Sequence, residues 1–200
     1  MAKDTSNRRL RFALVGGGPG SFIGGVHRIA AELDREIELV AGAFSSDADR
    51  SAQAGAAYRI DPARAYPDLA TMLQAETARS DGIDFVTIAT PNHHHLPAAR
   101  AALTAGIAVM SDKPVTATLE QARELADIVA DAAVPYALTY TYSGYPLVRE
   151  ARARIAAGTI GKVVKVIVEY SQGWLAGEVD SKQAAWRLDP ERAGAGGCIA

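Results

Sequence analysis

The sequence predicts an α/β fold built on a doubly wound parallel sheet, and three observations carry that prediction. Short apolar runs at 11–15, 36–44, 83–89, 107–110 and 134–140 recur along the first part of the chain. Between them lie segments of helical periodicity, most of about ten to fifteen residues. The first run, Arg11-Phe-Ala-Leu-Val15, leads straight into Gly16-Gly-Gly-Pro-Gly20 and a helix start. Strands alternating with helices of this length pair in parallel and are covered on both faces.

Each element follows from local chemistry. Gly16 to Gly20 form a turn at the end of the first strand, and a helix runs from there through Ala30. Ser45-Ser46-Asp47 ends the second strand and caps a helix through Gly55. Residues 61–68 carry two prolines and read as a loop with a short turn. Pro67 is then expected in the first turn of a helix through Ala78. Thr90-Pro91-Asn92 closes the third strand, and a helix from His94 to Thr104 stops at Gly106. Ser111-Asp112-Lys113-Pro114 closes the fourth. Thr118 caps an amphipathic helix with Leu119, Ala122, Leu125, Ala126 and Val129 expected on its buried face. The fifth strand precedes a helix from Tyr145 to Ala157, closed by Gly158.

The pattern changes at Gly161. Lys162 to Tyr170 is rich in β-branched residues and predicts a longer strand, with no further βα unit behind it. Residues 1–158 therefore read as a nucleotide-binding domain, and 159–200 as the start of a second domain too short to close its own core. The glycine-rich end at 196–197 falls inside what reads as another structural run, so the chain is expected to be incomplete on that side.

Composition narrows the function. At 48% hydrophobic and 22% charged, the 200 residues suit a soluble globular chain. A net charge of -2 gives no footprint for nucleic acid. No apolar run reaches membrane-spanning length, and the polar N-terminus lacks a signal-peptide core. The single Cys198 excludes an internal disulfide and suits a cytoplasmic location.

In a doubly wound sheet ligands bind beyond the carboxyl ends of the strands, so those ends hold the candidate chemistry. The glycine turn lets backbone approach a pyrophosphate while the helix start directs N–H groups at it. Its spacing departs from G-x-G-x-x-G: Ser21 stands where the third glycine would fall after Gly16 and Gly18, and Gly24 is left to take the close-packing role. At the end of the second strand, Ser45, Ser46 and Arg50 suit a 2′-phosphate, whereas Asp47 suits a free ribose. His93, His94 and His95 point about 100° apart on a helix, so they do not share a metal, and no metal site is expected. Pro91 instead brings Asn92 and one histidine to the cofactor edge. Lys113 sits at a strand end, pinned by the following proline, where it can move the proton that accompanies hydride transfer.

These motifs together resemble the N-terminal half of the Gfo/Idh/MocA oxidoreductases. Val15 to Gly24 with His27 is similar to the longer glycine loop of one branch of that family. Ala89-Thr-Pro-Asn-His-His-His95 is similar to its T-P-N-x-x-H segment, and Ser111-Asp-Lys-Pro114 to its E-K-P signature, with Asp112 in place of glutamate. Tyr140 to Pro146, Gln172 to Leu175, Trp186 to Pro190 and Gly194 to Gly197 are similar to the segments that open its substrate domain. The resemblance implies a Rossmann domain followed by an α+β domain with an antiparallel sheet. It implies NAD or NADP as cofactor and a sugar, sugar acid or cyclitol as substrate. Lys113 would be catalytic. Gly16, Gly18, Gly20, Ser45, Ser46, Arg50, Thr90, Asn92, His95 and Asp112 would face the cofactor. Tyr142, Gln172, Trp174, Trp186 and Arg187 would border the substrate. The family's D-x-G-x-H stretch would begin just after Ala200. The resemblance also implies a homo-oligomer. Two other readings stay open: an NAD-dependent glycoside hydrolase of the same fold, and a non-catalytic nucleotide-binding module.

Overall fold

In the computed structural model, described for residues 8–18, 20–171, 173, 176–177 and 182–194, the chain forms a five-stranded parallel sheet. The strands are β1 (Leu10–Gly16), β2 (Ile37–Ala43), β3 (Phe85–Ala89), β4 (Ala108–Ser111) and β5 (Tyr136–Leu138), in the order β2-β1-β3-β4-β5. The helices are α1 (Phe22–Glu32), α2 (Ala48–Tyr58), α3 (Leu69–Ala78), α4 (His95–Thr104), α5 (Leu119–Asp131), α6 (Pro146–Ala156), α7 (Lys182–Arg187) and α8 (Pro190–Ala193).

Alternation along β1 divides the interior into two cores. Phe12 and Leu14 face a cluster with Leu39, Phe44, Ala54 and Ile60, which α1 and α2 cover. Ala13 and Val15 face the opposite cluster, where Met72, Leu96, Ala99, Leu103 and Leu125 bring in α3, α4 and α5. Both faces are therefore dry, as the continuous apolar runs require. Phe12 and Phe85, on neighbouring strands, stack with centroids 5.4 Å apart.

A buried polar network fastens the segment after α2 to α3. Arg64 Nε donates to Glu76 Oε1 at 3.0 Å and Tyr66 OH donates to the same oxygen at 2.8 Å. The Ile83 amide donates to Glu76 Oε2 at 3.2 Å, so a carboxylate with no solvent exposure is satisfied by three groups.

Several boundaries depart from the sequence reading. α2 continues to Tyr58, past Gly55, until Arg59 adopts the left-handed conformation and its N–H bonds back to Ala56 and Gly55. Pro67 lies outside α3, because Asp68 takes the cap and accepts from Thr71 N at 2.7 Å. Pro146, by contrast, occupies the first turn of α6. β5 is only Tyr136–Leu138, paired on one side to β4. In α5 the buried face centres on Leu125, with Ile128 and Val129 packed beside it, while Leu119 and Ala126 are exposed. The expected strand from Lys162 to Tyr170 has no ladder partner among the described residues, and Val164, Val166, Ile167 and Val168 are all exposed. A β-branched sequence alone does not make a strand, which needs a neighbouring backbone.

The chain then returns to the sheet. α8 packs against the 3₁₀ turn Asn92–His94 that follows β3, and Asn92 Nδ2 donates to Ala193 O at 2.8 Å. The segment 182–194 thus belongs against the first half of the chain, at the edge where the strand ends gather.

Candidate functional site

The parallel register brings the carboxyl ends of β1, β3 and β4 side by side. Gly16 pairs with Ala89, and Ile88 with Ser111, so the turns that follow open into one cleft of about 1310 Å³. Gly16, Gly18 and Gly20 line it, with Ser45, Ser46, Arg50, Thr90, Asn92, Asp112, Lys113, Tyr142, Trp186 and Arg187. Gln172 and Trp174 lie outside the described residues.

The glycine turn is shaped for close approach. Gly17 has φ +71°, and a Cβ on Gly24 would stand 2.4 Å from Gly17 O. Gly24 therefore takes the packing role that the strict motif gives to its third glycine. Tyr58 OH donates to Gly17 O at 2.7 Å and holds the long loop from the α2 side. Ser21 caps α1 without a side-chain bond, and the first turn carries no acidic residue, so the helix start keeps its free N–H groups and positive dipole. Ser21, Phe22 and Ile23 line the cleft there. Thr90 Oγ1, also on the cleft, is buried with no hydrogen-bond partner among the described residues. A glycine cradle, an uncapped helix start and an orphaned hydroxyl fit a dinucleotide.

At the end of β2 the alternatives separate. Asp47 accepts from Arg50 N at 2.9 Å as the cap of α2, while Ser45 Oγ accepts from Asp47 N at 3.2 Å. Ser45, Ser46, Arg50 and Gln53 face the cleft. Asp47 is committed to the helix.

His95 departs from its expected place. It is 1% exposed, and its ring stands between two carbonyl oxygens, with Nδ1 2.7 Å from Pro114 O and Nε2 3.0 Å from Thr90 O. It ties the turn after β3 to the turn after β4 from behind the cleft wall. His94 is the histidine that lines the cleft, with its pKa lowered by burial and by its two histidine neighbours. His93 Nδ1 lies 3.3 Å from Arg192 O. Asn92, 2% exposed, lines the cleft while its amide nitrogen serves α8.

The turn after β4 carries a carboxylate and an amine. Asp112 Oδ1 accepts from Thr139 Oγ1 at 3.1 Å. Lys113 follows half-buried, and its peptide bond to Pro114 is cis. From the other side, α7 presents Trp186 and Arg187, the guanidinium 4.9 Å from the indole centroid. Burial lowers the Arg187 pKa, and the Asp112 charge opposes that shift. Tyr142, on the 3₁₀ turn Thr141–Gly144, shares a 2.7 Å hydroxyl contact with Tyr170.

Sequence reasoning gave no role to Tyr58, Gln53 or Asp68; it brought one histidine to the cofactor edge, and the resemblance pointed to His95 where the structure has His94. Gln53, His94 and Asp68 line the cleft from helix starts or a helix face, where periodicity reports burial and not the direction of an open side. Among the described residues no group of three metal-ligating side chains converges, and no helix is long and apolar enough to cross a membrane.

Comparison with known proteins agrees with this geometry. Residues 10–140 match the family model described as "Oxidoreductase family, NAD-binding Rossmann fold", and 148–200 match the "GFO/IDH/MocA C-terminal domain". The crystal structure of an inositol dehydrogenase homolog complexed with NAD+ from Azotobacter vinelandii is 40% identical, with a TM-score of 0.90. That match covers 96% of this chain and 51% of the other. An "Uncharacterized oxidoreductase YfiI" from Bacillus subtilis is 38% identical, covering 94% of this chain and 49% of the relative. A D-xylose 1-dehydrogenase [NADP(+)] from Haloarcula marismortui is 30% identical over 94% of this chain and 49% of its own. The chain thus spans about half the length of the curated relatives it matches. With its cleft at the ends of β1, β3 and β4, the chain belongs to the Gfo/Idh/MocA oxidoreductase family, and residues 10–140 are its NAD-binding Rossmann domain.

Proposed function

We propose that this chain is the cofactor-binding part of an NAD(P)-dependent dehydrogenase or reductase that acts on a sugar, sugar acid or cyclitol. The carrying observation is that Lys113 and the glycine turn open into the same cleft. The xylose and inositol relatives support the substrate class.

Bound NAD or NADP supplies the hydride acceptor or donor. The chain's own residues do the rest. The turn at 16–20 and the start of α1 bind the pyrophosphate. Ser45, Ser46 and Arg50 receive the adenosine ribose. Thr90 and Asn92 border the middle of the cleft, and His95 keeps the turns after β3 and β4 in register. Lys113 holds the substrate hydroxyl or carbonyl oxygen and moves its proton as the carbon changes oxidation state. Tyr142, Trp186 and Arg187 border the substrate, where an indole offers an apolar face to a sugar ring.

Lys113→Ala tests the assignment. Cofactor affinity is expected to stay within about threefold, while turnover on the responsive polyol falls roughly 10²-fold or more. Normal turnover in that variant overturns the role of Lys113. Net cofactor reduction across a polyol panel separates this reading from glycoside hydrolysis, in which the cofactor is regenerated.

A further inference from the structure

Lys113 is held by a short turn, and one histidine, to which the proposed chemistry gives no role, faces that turn from the second turn of α1. His27 lies on α1 with its side chain nine-tenths buried, and its Nε2 has no hydrogen-bond partner among the described residues. The Asp112 carboxylate faces it, with Oδ1 3.8 Å away. A carboxylate only accepts, so it selects the imidazole tautomer with hydrogen on Nε2. The separation is beyond a direct hydrogen bond, and a small rotation of either side chain closes it.

Three elements therefore converge on Asp112. His27 approaches from α1, Thr139 donates from the segment after β5, and Arg187 sets its charge against it from α7. Asp112 is one carbon shorter than the glutamate of the motif it resembles, and a shorter side chain needs a neighbour that reaches to it. We propose that His27 is a positioning residue for the Asp112–Lys113 turn, presenting Nε2–H to the Asp112 carboxylate and so fixing where the Lys113 amine stands. Burial lowers the His27 pKa and the Asp112 charge raises it, which agrees with a neutral imidazole facing a charged carboxylate.

The inference rests on the dehydrogenase reading for its kinetic consequence but not for its structural one, so two readouts are paired. The first is an NMR titration of the His27 ring in the wild-type protein and in Asp112→Asn. If the two side chains are coupled, removing the carboxylate charge lowers the His27 pKa by about half a unit or more. An unchanged titration overturns the proposal whether or not any polyol is turned over.

The second readout is kinetic, on the polyol that the wild type oxidises. His27→Leu is expected to lower kcat about tenfold with the cofactor Kd within about threefold, because the turn loses its support and the cradle does not. His27→Gln, which offers an amide N–H at similar reach, is expected to restore kcat to within about threefold of wild type. A wild-type kcat in His27→Leu, or a glutamine variant as slow as the leucine variant, overturns the positioning role. If His27→Leu does not fold, the glutamine variant and the titration still decide. Wild-type protein inactive on every polyol counts against the dehydrogenase reading, and the titration alone then judges the pair.

Discussion

Arg50 is the residue on which the proposed choice between NAD and NADP turns. Asp47 caps α2 through Oδ1 and does not line the cleft, while Ser45, Ser46 and Arg50 do. A guanidinium there can pair with a 2′-phosphate and gains little from a 2′-hydroxyl. In Arg50→Ala, NADP affinity is expected to fall about tenfold with NAD affinity within about twofold, as titration calorimetry of each cofactor would measure. An equal loss for both would make Arg50 a contributor to the fold alone. At this scale the sequence was partly legible. The glycines, Thr90, Asp112 and Lys113 stand on the cleft because strand ends and turn residues leave a local signature. His95 has the same signature and points the other way, since it sits where a 3₁₀ turn passes into α4 and its direction depends on the Pro114 and Thr90 carbonyls. His27 carried only a motif resemblance.

Among the elements, the pairing of α3 with the loop before it depends on a carboxylate that water does not reach. Glu76 is fully buried against Arg64 and Tyr66. Burial and the Glu76 carboxylate push the Tyr66 phenol up to about 12 from 10.0. A phenol whose folded pKa is raised contributes stability that is complete below its unfolded pKa. That contribution is lost as pH rises from about 10 to about 12, because the unfolded chain ionises first. Denaturation midpoints are expected to fall across that window, and the fall is expected to shrink in Tyr66→Phe. Arg64→Leu leaves the buried carboxylate unpaired and is expected to cost about 3–5 kcal/mol in chemical denaturation. The strands were legible because apolar runs bounded by glycine and proline are local facts. The buried face of α5 was legible only in part, since Leu119 and Ala126 are exposed and Ile128 packs against the core.

For the whole molecule, the side chain of Asn92 fastens the returning segment to the first half of the chain, beside the contact of His93 with Arg192 O. Asn92→Ala leaves the Ala193 carbonyl without its donor, and an unsatisfied buried group costs about 1–3 kcal/mol. The expected outcome is faster proteolysis within 182–194 with a melting temperature little changed. Equal protection in both proteins would assign the seating of α8 to packing alone. The return of this segment was not legible, because nothing in the spacing of Asn92 and Ala193 announces a contact across 101 positions. The segment from Lys162 to Tyr170 has the composition of a strand and no ladder partner among the described residues, because pairing is a property of two segments.

That long-range bond also sets an order in time. Within the sheet the longest pairing joins Phe12 to Phe85, whereas joining residue 92 to residue 193 closes a loop of about half the chain, and loop entropy penalises it a little more. The seat of α8, a four-residue helix, is therefore expected to open before the sheet does, as amide exchange at 190–194 would measure. Such an opening would move the rim of the cleft while the strands beneath it stay paired.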